Sequence, residues 1–281
     1  MNRRVVRRFM SNIMVGVMGL SVLLAVLPLL WILGTLLLRG ASSLNLAFFT
    51  QMPVPAGESG GGVAHAIVGT LLIVGQACLF GLPVGIAAGI YCAEYGHTRL
   101  AKGTRFLADV MNGTPSIVVG VFAWTWIVAK QHHFSGFAGS AALAMLMVPM
   151  VMRTTEELIT LVPHSLREAA LALGYSRWRT SLSVVLRTAL PGIVTGVLLA
   201  VARIAGETAP LLFTALGSQF MSTNLGAPMA ALPLVVFNYA TGPYEDWHRL
   251  AWATALVLIV VVFILSVAAR LATRQRFDRQ G

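Results

Sequence analysis

Six apolar runs, at roughly 13–38, 65–93, 105–129, 138–161, 188–216 and 249–270, constrain this 281-residue chain more than any other feature. A bilayer crossing needs about 20 predominantly apolar residues, and every run reaches that length. In lipid the backbone must satisfy its own hydrogen bonds, so each run is expected to be a helix. The fold class that follows is an all-α membrane protein with six transmembrane helices.

Composition agrees: 57% of residues are hydrophobic and 11% charged, which excludes an ordinary soluble domain. A net charge of +10 invites a nucleic-acid reading, but the basic residues flank the apolar runs, so no nucleic-acid partner is expected and membrane lipids are. Four arginines (Arg3, Arg4, Arg7, Arg8) precede the first run, and Arg99, Lys102 and Arg105 lie in the second connection. Arg167, Arg177, Arg179 and Arg187 lie in the fourth connection, and Arg270, Arg274, Arg276 and Arg279 at the carboxyl end. The opposite side holds Arg39, Lys130 and Arg249. Positive charge marks the cytoplasmic side, so both termini and the fourth connection are expected there. The run after Asn2–Arg8 is too long for a signal-peptide core and lacks a small-x-small cleavage site, so it reads as a retained first span.

This gives a cytoplasmic basic tail at 1–12, a first span at 13–38 and an external loop at 39–64. A core of five further spans follows at 65–270, with a cytoplasmic loop at 162–187 and a basic tail at 271–281. The external loop, with its prolines and Gly60-Gly61-Gly62, should be irregular and outside lipid. LPLVVFNYA, within the outer connection 217–248, reads as a short amphipathic helix lying on the membrane surface. Gly81, Gly85 and Gly89 form a small-residue face for close helix packing, most simply inside one subunit. Cys78 and Cys92, in one apolar run, suggest neither a disulfide frame nor a metal site. Adjacent His132 and His133 project in different directions, so no metal site is expected.

Some polar residues stand where lipid should exclude them. Asn112-Gly113-Thr114-Pro115 breaks the third run, because Pro lacks a donor and clashes with the preceding turn; the break either lines a watery path or is a simple kink. Arg153 in the fourth run and Arg203 in the fifth each cost about 2.5–3.5 kcal/mol at the centre of a span. Arg153 has Glu157, and Arg203 has Glu207, four residues on, so each pair can share a helical face. These are either internal ion pairs, with Arg153 shallow enough to snorkel, or guanidinium forks facing a water-filled path for an oxyanion. In the second case Glu207 offsets Arg203, so that the anion can leave as well as enter.

Between the fourth and fifth runs lies a polar, basic island, SLREAALALGYSRWRTSLSVVLRTALP, from Ser165 to Pro191. Ser165 and Glu168 have capping-box spacing, Gly174 is a natural helix stop, and Ser176 can cap a second helix. The expected product is a knob with an apolar face on show.

Glu168-Ala169-Ala170, Gly174, Val184 and Leu186 resemble the cytoplasmic loop that membrane subunits of ABC importers present to their ATPase. One departure is Arg187, where that pattern has Pro directly after the Leu; here the Pro comes at Pro191. Three strings sharpen the resemblance: Gly69-Thr70-Leu71, Asn112 to Val118 (NGTPSIV), and Ala202 to Leu212 (ARIAGETAPLL). With the AFFT and GGG features of the first outer loop, they are similar to the A-type permease subunits of phosphate-specific ABC importers.

The resemblance implies a type I ABC importer permease (MetI-like) in a bacterial or archaeal cytoplasmic (inner) membrane, importing inorganic phosphate. Arg153, Arg203, Glu207, Thr114 and Thr208 would line the substrate path, and Glu168, Ala169, Ala170 and Gly174 would couple to the ATPase. The partners implied are a cytoplasmic ATPase dimer, a paralogous C-type permease subunit and an external phosphate-binding protein. No catalytic residue, metal or cofactor is expected on this chain. It has no G-x-x-x-x-G-K-[ST] loop, so ATP and magnesium would belong to the ATPase. Permeases for sulfate, molybdate or phosphonate share the architecture, and a proton-coupled secondary carrier built on Arg203–Glu207 is the reading from another class.

Overall fold

The computed structural model describes residues 3–55, 58 and 60–277. Of the residues used above, Asn2, Ala56, Gly57, Ser59 and Arg279 lie outside the described residues. The first helix, α1 (Arg3–Ala41), carries the first run and its basic flank in one rod. None of its apolar window is buried, and it meets the rest of the chain at its far end, where Gly40 lies against Trp252 and Leu256. A short helix α2 (Leu46–Thr50) follows, so part of the loop at 39–64 is more ordered than its Gly and Pro content predicts. Asn45 caps it by accepting from the Phe48 amide at 2.8 Å, and Phe48 is 1% exposed.

The body is organised on α6 (Gly136–Thr160), with α3 (Ala64–Glu94) packed along it. Lipid tails are as apolar as leucine side chains, so helix association in a membrane rests on close packing. The glycines of α3 supply that closeness within one chain. A Cβ on Gly85 would stand 2.9 Å from Val151 Cβ, and one on Gly89 would stand 2.6 Å from the Met152 carbonyl oxygen. On another side of α6, Gly196 of α8 (Arg177–Ala205) abuts Thr154. Ile73, Leu143, Met147, Val151, Ile204 and Leu211 close the core between these helices.

The third run differs from a simple span. It forms α4 (Arg99–Gly113) and α5 (Ser116–Gln131), which meet at 105° across Thr114-Pro115. Pro115 has no N–H, and its ring disfavours helical backbone at Thr114; Thr114 is extended, at φ −78 and ψ 130. Among the described residues five helices are long and apolar enough to span a membrane, or six with this bent pair taken as one.

The fifth run is also displaced from 188–216. The helix starts at Arg177, eleven residues upstream, and runs through a wide π-type turn (Ser181–Val185), Arg187 and Pro191 to Ala205. Arg187 is exposed on that rod, so the missing Pro leaves the helix unbroken there. Gly206 ends it, and the short α9 (Ala209–Thr214) follows. LPLVVFNYA is a short helix as expected, α10 (Leu232–Ala240), and it packs into the fold with Leu232, Leu234, Val235 and Tyr239 buried. It packs with α11 (Glu245–Phe277), and the Tyr239 and Trp247 rings stack with centroids 5.0 Å apart.

Candidate functional site: a polar cavity and an exposed knob

A cavity of about 180 Å³ opens where the α4–α5 elbow meets α6 and the end of α8. The elbow contributes Asn112, Thr114 and Ser116, α6 contributes Met150, and Arg203 and Glu207 come from the far side. The backbone break expected to line a path or merely to kink a helix therefore lines a polar cavity. Pro115 turns the chain there, and Thr114 hydroxyl donates to the Val110 carbonyl at 2.7 Å, satisfying a group that the break frees.

The helical pairing expected of Arg203 and Glu207 does not form. The helix stops at Gly206, whose amide turns back to the Arg203 carbonyl at 3.1 Å, and Glu207 lies past the stop. A four-residue spacing joins side chains only while helical backbone connects them. Arg203 is exposed to the cavity side and Glu207 half-buried, and Arg203 makes no ion pair among the described residues. Thr208 contributes backbone: its carbonyl accepts from the Leu211 and Leu212 amides, both at 3.1 Å, as α9 begins.

Arg153 also has other partners than the Glu157 expected, which is exposed. Its Nε donates to Asp109 Oδ1 at 2.9 Å and its Nη2 to Asp109 Oδ2, a two-pronged pair between α6 and α4. Its Nη1 donates to Glu156 Oε2 at 3.1 Å. Glu156 in turn accepts from Arg105 Nε, and the remaining Arg105 nitrogens donate to the Gly96 and Cys92 carbonyls at 2.8 and 2.7 Å. Two cations and two carboxylates thus knit α4 to the ends of α3 and α6. Arg153 is therefore less available than its position in the run implies.

Asp109 and Glu156 are the members of this cluster that periodicity could not assign. Their signal is acidity inside or beside apolar runs, which is costly without a partner. The Arg153–Asp109 separation of 44 residues hides which partner that is.

The second site is the knob. Helix α7 (His164–Ala172) begins after Pro163, and Ser165 lies inside it, so the Ser165–Glu168 capping box does not form. Pro163 stands at the entry instead, its ring fixing φ at −55 while ψ is extended at 138. The stop is as expected: Gly174 has φ +84. The Tyr175 amide reaches the Ala170 carbonyl at 3.1 Å, and the Gly174 amide reaches that of Leu171 at 3.0 Å, the paired closure of a Schellman turn. Ser176 stands at the start of α8 without a side-chain capping bond. Glu168 and Ala169 are exposed and Ala170 is buried. Leu173, 80% exposed, and Trp178, 65% exposed, present apolar surface beside them.

A residue not singled out by sequence holds the knob. Glu94, at the end of α3, accepts from Arg167 Nη1 of α7 and from the Ser181 hydroxyl at 2.8 Å. Arg167 Nη2 also donates to the Ile159 carbonyl at 3.1 Å. No group of three or more His, Cys, Asp or Glu capable of holding a metal occurs among the described residues.

Residues 85–277 match the family described as binding-protein-dependent transport system inner membrane component. The phosphate transport system permease protein PstA of Haemophilus influenzae is 47% identical over 94% of each chain. That of Yersinia pestis is 48% identical over 94% of this chain and 90% of its own. PstA 1 of Mycobacterium tuberculosis is 37% identical over 96% of this chain and 92% of its own. Among solved structures, an inward-facing MetNI methionine ABC transporter matches with a TM-score of 0.60 and 19% identity, over 76% of this chain and 94% of that one. An amino acid ABC transporter solved with histidines matches at 0.56 and 16% identity, over 76% and 92%. These likenesses show the fold, that of ABC importer membrane subunits. The chain belongs to the binding-protein-dependent transport system inner membrane component family, and stands within it among the PstA permeases.

Proposed function

We propose that the chain is the non-catalytic membrane subunit of an ATP-driven importer that passes inorganic phosphate into the cytoplasm. The observation that carries this is Arg203: an exposed guanidinium near the end of α8, turned to a polar cavity and, among the described residues, without a countercharge bonded to it. A planar, permanently charged donor fork suits an oxyanion. Glu207 on the same wall keeps the contact weak enough for release. The PstA relatives support phosphate as the anion.

The knob of Glu168, Ala169, Ala170 and Gly174 would dock one subunit of a cytoplasmic ATPase dimer, which supplies ATP and magnesium chemistry. A C-type permease would complete the membrane portion, and an external phosphate-binding protein would deliver the ion. The distribution of basic residues supports cytoplasmic termini in a bacterial inner membrane, with the bent α4–α5 pair counted as one span.

The test is phosphate uptake by membrane vesicles carrying the assembled transporter. Arg203→Gln should leave assembly intact and abolish uptake; normal uptake by that variant would overturn the path reading. Unlabelled sulfate, molybdate and phosphonate should compete far less well than phosphate, and equal competition would overturn the substrate.

A further inference from the structure

The cavity wall continues beyond the residues that line it. On α4, Asp109 lies three residues before Asn112, and on α6, Arg153 lies three residues after Met150; Asn112 and Met150 both face the cavity. Three residues are about one helical turn, or roughly 5 Å of rise. The Asp109–Arg153 pair therefore bridges α4 and α6 about one turn past the cavity, on the side from which α6 leads to α7.

The chemistry at that bridge is that of substrate recognition with the substrate replaced. A guanidinium binds a carboxylate and a phosphate in the same two-pronged way, and Asp109 engages Arg153 Nε and Nη2 with both oxygens. Charge is balanced locally, since Asp109 and Glu156 face Arg153 and Arg105. In this arrangement Arg153 has no unmatched charge to offer an anion. The two carboxylates differ in freedom. Glu156 is buried and held by a second arginine, whereas the Asp109 side chain is 57% exposed and has only Arg153. Asp109 is the one that can give way.

We propose that Asp109 is an internal stand-in for the transported oxyanion. Its carboxylate occupies Arg153 until an anion arriving from the Arg203 cavity displaces it, so that Asp109 tunes how strongly Arg153 holds the ion. This rests on the reading of the cavity as an anion path. Asp109 acts through Arg153 and is a positioning residue.

The experiment is equilibrium calorimetry of inorganic phosphate, and separately of sulfate, binding to the purified full transporter. An arginine tied up about nine-tenths of the time binds about tenfold more weakly than a free one. Asp109→Asn should therefore tighten phosphate binding about tenfold. Adding Arg153→Gln should cancel the gain, and Asp109→Glu should stay near wild type. No tightening, or a gain that survives Arg153→Gln, would overturn the proposal. So would failure of Asp109→Asn to assemble, since a carboxylate needed to build the fold is not one that yields to substrate. Tightening for sulfate alone would uphold the role of Asp109 and overturn phosphate as substrate, while normal uptake by Arg203→Gln overturns the path independently.

Discussion

Glu94, at the end of α3, and Arg167, on the exposed helix α7, are joined by an ion pair across 73 residues of sequence, with Ser181 of α8 sharing the same carboxylate. Both side chains are mostly buried, at 17% and 18% exposure. The knob is thus fastened to α3 and α8 at one carboxylate, and to α6 through the Arg167 bond to the Ile159 carbonyl.

Removing that fastening should uncouple the two ends of the molecule. Residues between coupled sites contribute about 0.5–2 kcal/mol, so Glu94→Gln should lower phosphate uptake about fivefold while ATP hydrolysis by the assembled transporter continues. Uptake and hydrolysis measured together in proteoliposomes give the ratio. A proportional fall in both would show that Glu94 serves only folding.

The Gly174 stop should be equally sensitive. At φ +84 a residue with a Cβ is strained by about 1–2 kcal/mol. Gly174→Val should loosen the knob and reduce ATPase co-purifying with the membrane subunits about fivefold or more. Glu168→Lys, which alters the exposed docking face and leaves the turn alone, should produce the same loss. Quantifying the ATPase band after detergent purification checks both.

Helix packing gives a stability test with a control on the same helix. Gly89→Leu would drive a side chain into the Met152 backbone and Thr155, and overpacking of this kind costs about 1–3 kcal/mol. A Cβ on Gly75 meets nothing within 4 Å, so Gly75→Ala is the control. The melting temperature of the purified assembly should fall for the first and hold for the second.

Glu207→Gln should strengthen anion binding and slow transport, by about fivefold in each. The carboxylate shares a cavity wall with Arg203, and its removal leaves the guanidinium unopposed. Faster uptake would contradict the role given to Glu207. Binding by calorimetry and uptake in vesicles are the two readouts.

How much of this was legible in the sequence follows the range of the interactions. Apolar length located the spans, and the Gly174 turn and the α3 glycine face were legible because each is set within a few residues. The helix start after Ser176 was legible from the cap position, while apolar length alone began the fifth run only at 188, because Arg177, Arg179 and Arg187 interrupt its hydrophobicity and the helix continues through them. The Arg203–Glu207 pairing was misread because Gly206 ends the helix between them. The partner of Arg153 was misassigned, Glu157 for Asp109 and Glu156, because spacing ranks neighbours along one helix and cannot weigh a carboxylate brought in by another. The cavity itself was legible only as a break at Thr114-Pro115; its depth and lining depend on how α4, α6 and α8 assemble.

The unbroken run of α8 has a mechanical consequence. Gly196, pressed against Thr154, is a natural fulcrum. At about 1.5 Å of rise per residue, Arg177 lies roughly 28 Å to one side and Arg203 roughly 10 Å to the other. Swung about that point, the shaft would reduce a displacement at Arg177 to roughly a third of it at the guanidinium, in the opposite direction. Such gearing exchanges travel for force, which suits a machine that must pry an ion from its contacts and has little distance to carry it.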